Sequence, residues 1–103
     1  MKASTQWQLD RRAAELYETV LVPWILGPAA QVLVDHIQPP AGARVMDVGC
    51  GTGVAARHAL RSVGDKGRVA GVDVNPAMLT VAKSLSGAGD QIEWLEGNAM
   101  DLP

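Results

Sequence analysis

Asp47 stands at the head of a run in which every second residue that follows is glycine: Gly49, Gly51 and Gly53. Asp73 comes about 20 residues later, at the end of a second apolar stretch. At that spacing a carboxylate can accept hydrogen bonds from both hydroxyls of a ribose, and it would repel a 2′-phosphate. Glycines let the chain turn sharply and remove the Cβ atoms that would hold a ligand away from backbone. A helix opening at Val54 would offer unpaired N–H groups and a partial positive charge to a carboxylate. The dinucleotide pattern G-x-G-x-x-G does not fit, because its third glycine would fall on Val54. An acid beside the loop suits an ammonium group and would repel a pyrophosphate. The ligand these residues describe carries adenosine, an ammonium and a carboxylate.

The surrounding elements must hold those residues in place. Arg44 to Val48, with a continuous apolar pair at Val45 and Met46, reads as a strand covered on both faces, as in a parallel sheet with helices above and below. The helix after the glycines buries Ala55, Ala56, Ala59, Leu60 and Val63, and Gly64 to Gly67 is a turn. Arg68 to Asp73 is a second strand. Asn75-Pro76 marks the next helix start, with Asn as cap and Pro in the first turn. Its buried stripe is Met78, Leu79, Ala82 and Leu85, and Gly87 is its stop. Gln91 to Leu95 alternates Ile92 and Trp94 against Glu93, which suits an edge strand.

Residues 1–40 form a helical lead-in and residues 41–103 a βαβαβ unit. In the lead-in, Leu9, Ala13, Leu16 and Val20 recur at near-helical spacing, with a solvated charged face from Asp10 to Glu18. Pro23 ends or kinks this helix, and Gly27-Pro28 opens another in which Ile25, Val32, Leu33 and Ile37 make apolar contacts. Pro39-Pro40 stops it. Strands alternating with helices imply right-handed crossovers and a doubly wound parallel α/β sheet of three strands in the order 3-2-1. Ligands bind outside the carboxyl ends of such strands, where Gly49 to Gly53, Asp73 and Asn98 fall.

Composition narrows the class further. A chain of 103 residues with a net charge of −2 and scattered Lys and Arg is one domain without a nucleic-acid footprint. The single Cys50 cannot form an internal disulfide and suits a reducing compartment. No apolar run approaches the roughly 20 residues of a membrane span, and the polar N-terminus is not a signal peptide. A cytoplasmic protein is the expectation.

The run Val45-Met-Asp-Val-Gly-Cys-Gly-Thr-Gly53 resembles motif I of class I S-adenosylmethionine-dependent methyltransferases. Gly71 to Leu79 resembles the segment that follows it, and Gly97 to Pro103 resembles the next cofactor motif. Tyr17-Glu18, Leu21-Val22-Pro23 and Gly27-Pro28 are similar to the lead-in of the ubiquinone/menaquinone-biosynthesis-like subgroup. The resemblance implies a Rossmann-like fold and S-adenosylmethionine as methyl donor, with S-adenosylhomocysteine as product. It implies Gly49, Gly51 and Gly53 along the methionine moiety, Asp47 toward its ammonium, and Asp73 on the ribose. It further implies Val74 and Met78 on the adenine faces, Asn98 and the Ala99 backbone on the adenine edge, and Tyr17 over the methionine end. Position 98 is usually Asp in the family; Asn keeps an acceptor oxygen and gives up the charge.

The family's sheet has seven strands, and this sequence stops after the third cofactor motif. The expectation is therefore the N-terminal, donor-binding half of a methyltransferase for a small-molecule acceptor, with no catalytic side chain assigned and no metal site. An exposed edge on the first strand would suit pairing with a second chain. The alternative is a non-catalytic donor-binding or assembly module, and a further one an aminopropyl transferase on the same scaffold. Cys50 reads as a small loop residue, His36 and His58 as surface or boundary residues, and Trp7 and Trp24 as packing for the lead-in helices. Trp94 caps the sheet edge. For Tyr17, packing stands beside the lid role.

Overall fold

The computed structural model describes residues 10–86 and 91–103. The roles expected of Trp7, Leu9 and Gly87 lie outside the described residues. Three strands, β1 (Arg44–Val48), β2 (Arg68–Asp73) and β3 (Ile92–Glu96), form one parallel sheet in the order β1-β2-β3. This is the 3-2-1 arrangement that the alternation of strands and helices predicts. The register sets Asp47 opposite Gly71, Gly71 opposite Trp94, and Asp73 opposite Glu96.

Helices α3 (Val54–Val63) and α4 (Pro76–Leu85) connect the strands. Both connections step across the sheet in the same direction, so right-handed crossovers place both helices on one face. Trp94 marks that face. Its ring packs against the cluster of Ala56, Ala59, Val63 and Val69, and its Nε1 donates to Ser86 Oγ at the end of α4, 3.1 Å away. Val45 and Ile92 join the same cluster. Arg44, Met46 and Val48, one residue out of phase, are exposed. The expectation of cover on both faces of β1 therefore fails among the described residues. The reason is topological: the lead-in packs on α3 and α4, outside the layer they already form, and so leaves the second face of the sheet bare.

Asn75 caps α4, accepting from the Ala77 N–H at 2.9 Å, with Pro76 in the first turn as expected. Met78, Leu79, Val81 and Ala82 are buried, whereas Leu85 at the frayed end is half exposed. In α3 the fully buried positions are Ala56, Ala59 and Val63.

The lead-in departs most from the sequence reading. It runs as one continuous helix: α1 (Arg11–Leu16), a π-helical segment (Tyr17–Leu26) and α2 (Gly27–Ile37). Asp10 caps its start by accepting from the Ala13 N–H at 2.7 Å. Pro23 sits inside the π segment and does not end the helix. In an α-helix its ring would press on the carbonyl four residues back, and the wider π turn gives it room. The Gly27 N–H bonds to the Val22 carbonyl, which would lie 2.7 Å from a Cβ at position 27, so only glycine fits there.

A segment wound at π spacing also rotates every later residue away from the face that a 3.6-residue period assigns. Ile25, Val32, Leu33 and Ile37 are exposed, with Val22, Ala30 and Val34 buried in their place; ahead of that rotation, Leu16 and Val20 are also exposed and Ala14 is buried. Trp24, expected to pack, is 81% exposed. As a single helix of 27 residues with an 18-residue window of mean hydropathy 1.5, Arg11–Ile37 has the length and composition to cross a membrane. The expectation that no apolar run approaches a membrane span in length is corrected by this continuous helix. In the structure one side of it is packed on α3 and α4, as in the outer helix of a globular domain.

Candidate functional site

The glycine loop is stitched to the neighbouring strand by backbone. The N–H groups of Gly49 and Cys50 both donate to the Val72 carbonyl, at 2.7 and 2.9 Å, so the turn out of β1 is fixed at the carboxyl end of β2. Gly49, Gly51 and Gly53 all have left-handed φ, of +75°, +57° and +94°. A Cβ at Gly53 would collide with the Trp94 ring, and one at Gly51 would sit 3.2 Å from the Tyr17 hydroxyl. At Gly49 the same position meets open space, which is where a ligand can approach the loop.

Asp73 has two neighbours already. Its Oδ2 accepts from the Gly51 N–H at 2.8 Å and its Oδ1 from the Asn75 N–H at 2.9 Å. Each oxygen keeps a further acceptor site, so the carboxylate can hold the loop and still receive two ribose hydroxyls. Gly51 and Asp73 are thereby one unit.

Asp47 is different. One of its oxygens, Oδ2, is buried and has no hydrogen-bond partner. Burial pushes its pKa up, with the nearby Asp73 charge adding to the effect and a bond from the Ala56 backbone opposing it. A buried carboxylate oxygen without a partner costs free energy, and a cation or N–H donor seated there would recover it. Tyr17 is held above the ordinary phenol range by burial and then by the charges of Asp73, Glu18 and Asp47. Three carboxylates around one phenol make this end of the site negative. Burial and the same two aspartates push the Cys50 thiol up to about 12, so it is held as a neutral thiol.

The structure thus brings Tyr17, Asp47, Gly49, Gly51, Gly53 and Asp73 together. Val74 follows directly, half exposed at the end of β2. Met78 is not open to that space: it is 7% exposed and clustered with Ala14 and Val81. Asn98 and Ala99 are exposed beyond β3. The Asn98 oxygen accepts from the Met100 N–H at 2.8 Å, which leaves its second lone pair for any ligand. His36 is exposed, and His58 is partly buried with its Nδ1 2.7 Å from Arg61 Nη2. Among the described residues, no three His, Cys, Asp or Glu side chains gather as metal ligands. A broad concavity lies on the bare sheet face between Arg44, Met46, Arg68 and Leu95, away from the glycine loop. It is uncovered sheet surface and has none of the groups described above.

Sequence reasoning missed two contributors. Glu18, assigned to a solvated face, reaches the loop: Thr52 Oγ1 donates to its Oε1 at 2.6 Å. Trp94, assigned to the sheet edge, lies across Gly71, with ring atoms 2.5 Å from where a Cβ would be, and extends to Gly53. The available signal for Trp94 was the glycine at position 71 inside a strand, between Ala70 and Val72, which marks a close approach.

Residues 45–103 match the family described as a methyltransferase domain. The chain belongs to that family. It is 44% identical over 73 residues to a 2-phytyl-1,4-naphtoquinone methyltransferase of Thermosynechococcus vestitus, a match covering 71% of this chain and 32% of that protein. A demethylmenaquinone methyltransferase of Bacillus pumilus is 48% identical over 64 residues, covering 60% of this chain and 27% of the relative. The chain thus spans about a third or less of the length of these relatives. Among solved structures, a SAM-dependent methyltransferase from Aquifex aeolicus superposes with a TM-score of 0.71 at 22% identity, covering 93% of this chain and 51% of the other. That likeness fixes the fold as the Rossmann-like sheet of methyltransferases.

Proposed function

We propose that this chain is the donor-binding half of an S-adenosylmethionine-dependent methyltransferase acting on a small-molecule acceptor. The observation that carries the reading is the buried, unpartnered Asp47 oxygen beside a left-handed glycine loop, with the Asp73 carboxylate one strand away. Asp47 would receive the donor's ammonium, the open space over Gly49 its methionine moiety, and Asp73 its ribose. Tyr17 would cover the methionine end, and Val74, Asn98 and the Ala99 backbone would meet the adenine. Met78 would support that wall from beneath the surface. When bound, the donor supplies a methyl group on a sulfonium centre. The residues here hold it in place, exclude water and surround its positive end with carboxylates; methyl transfer depends mostly on such positioning and desolvation. The relatives' names support the activity class. The matched segment is donor-side, so the acceptor is taken no further than a small molecule.

Two finer points belong to the same reading. The free, buried Cys50 supports a reducing, cytoplasmic setting. Among the described residues the outer edge of β1 has no partner strand and the face beside it is bare, which supports pairing with a second copy of the chain.

Calorimetric titration of the chain with S-adenosylhomocysteine, beside Asp73→Asn, tests the proposal. Saturable binding that the variant weakens by roughly tenfold or more is expected, since a charged hydrogen bond to each ribose hydroxyl is at stake. No binding by a wild-type chain shown to be folded by circular dichroism would sink the reading.

A further inference from the structure

The strongest feature outside the donor contacts joins two parts of the chain 34 residues apart. Thr52, inside the glycine loop, is 1% exposed, and its hydroxyl donates to Glu18 Oε1 at 2.6 Å. Its carbonyl accepts from Arg57 Nη1, also at 2.6 Å. Arg57 Nη2 closes the triangle at 3.6 Å from the same Glu18 oxygen, and both charged side chains are only about one-fifth exposed. Thr52 is therefore gripped from both sides, by its hydroxyl toward the lead-in and by its carbonyl toward α3.

Glu18 sits in the first turn of the π segment, directly after Tyr17. Tyr17 in turn places its hydroxyl over Gly51, the residue before Thr52. Two consecutive residues of the lead-in thus address two consecutive residues of the loop. A hydroxyl bonded to a carboxylate is a strong, charge-assisted contact, and burial reduces the screening that weakens exposed pairs.

We propose that Glu18 is a positioning residue which, through Thr52 and Arg57, locks the glycine loop to the π-helical turn carrying Tyr17, so that loop and lid move as one unit. This rests on reading the loop as the donor site. If that reading is right, the latch sets how tightly the donor is held without Glu18 touching it. It also gives the π-helical turn a role at this point, since π turns are frequent at functional sites.

Hydrogen exchange on the full, ligand-free chain reads the latch directly. Thr52→Val removes the hydroxyl at nearly constant shape. Amides of residues 49–53 and of residues 17–26 should then exchange faster together, by roughly tenfold, the scale of one lost charged hydrogen bond. Thr52→Ser, which restores the hydroxyl, should return both segments to near the wild-type rates. Glu18→Ala should loosen the same two segments, and it carries the test if the valine variant does not fold. With Glu18→Ala in place, Thr52→Val should add little. Acceleration confined to the loop, or simple additivity of the two variants, would overturn the proposal. Titration with S-adenosylhomocysteine keeps the two readings apart. Affinity should fall in Thr52→Val and Glu18→Ala and recover in Thr52→Ser; unchanged affinity in the loosened variants would overturn the latch's role in the site. A folded wild-type chain that does not bind would overturn the donor reading, while the exchange pattern would still decide whether loop and lid are locked.

Discussion

Asp47 pays for function with stability. Its folded-state pKa is raised, so the folded chain binds a proton more readily than the unfolded chain does. The penalty is therefore absent below the ordinary carboxylate range, grows as pH rises through the raised value, and is fully present above it. Asp47→Asn should raise the thermal midpoint of the ligand-free chain at pH 7, by a few degrees at this size. The gain should vanish as pH falls below the ordinary carboxylate range, which melting curves from pH 3 to pH 7 would check. The same change should weaken S-adenosylhomocysteine binding by roughly tenfold or more, because the ammonium loses its counter-charge. A variant that bound as tightly as wild type would remove Asp47 from the site. Cys50 makes a second prediction. A thiol held near 12 is almost wholly protonated at pH 8. Iodoacetamide should label it on the order of a hundredfold more slowly in the folded chain than in urea, since the thiolate is the reactive form. Labelling at the unfolded rate would mean that the loop opens freely.

At the scale of elements, the contact between β2 and β3 controls the shape of the loop. Trp94 lies flat across Gly71 and under Gly53, so the strand glycine and the loop glycine share one neighbour. Gly71→Ala would drive a methyl group into that ring and toward Cys50 Sγ, 3.0 Å from the new atom. A loss of about 2 kcal/mol or more is expected, typical of overpacking a core without room to shift. Chemical denaturation would measure it, and a second change of Trp94→Leu should restore part of the loss. Asn75 does for α4 what Trp94 does for the sheet. It is 3% exposed, and its side chain caps the helix. Asn75→Ala should cost about 1–2 kcal/mol by the same measurement. It should also disturb Asp73, whose Oδ1 bonds the Asn75 backbone N–H.

At the scale of the whole fold, the described residues cover one face of the sheet and leave the other bare. Two crossovers in the same direction and a lead-in stacked outside them leave β1 with an unpaired edge beside exposed Met46 and Val48. Exposed strand edges with apolar neighbours associate. The chain should therefore show a molar mass by light scattering that rises with concentration. Met46→Lys should lower that rise while leaving the circular dichroism spectrum unchanged. A single species of constant mass across the range would rule out pairing through this edge.

The strand order, the glycine turn and the placing of Asp47 and Asp73 were legible because each is local. A strand of five or six residues, a left-handed glycine and an Asn-Pro helix start are specified by neighbours in sequence; the tendency of consecutive strands to lie side by side suggests their order, and crossover handedness then sets the helices' face. The lead-in was misread because a π-helical segment breaks the 3.6-residue period on which the assignment of its buried face depends. Ile25 and Ile37 look like a core stripe only at the wrong spacing. Glu18 looked solvated because it sits among charged residues and its partner Thr52 lies 34 residues away. Whether a carboxylate faces water or a buried hydroxyl depends on how α1 and α2 pack on α3 and α4, and packing of that kind leaves no periodic trace in the chain. The sequence by itself determined the strands, the glycine turn and the acids that flank it, because each is set by near neighbours in the chain. Only the tertiary structure decided which residues are already engaged with one another, because hydrogen bonds such as Thr52 to Glu18 depend on distances through space.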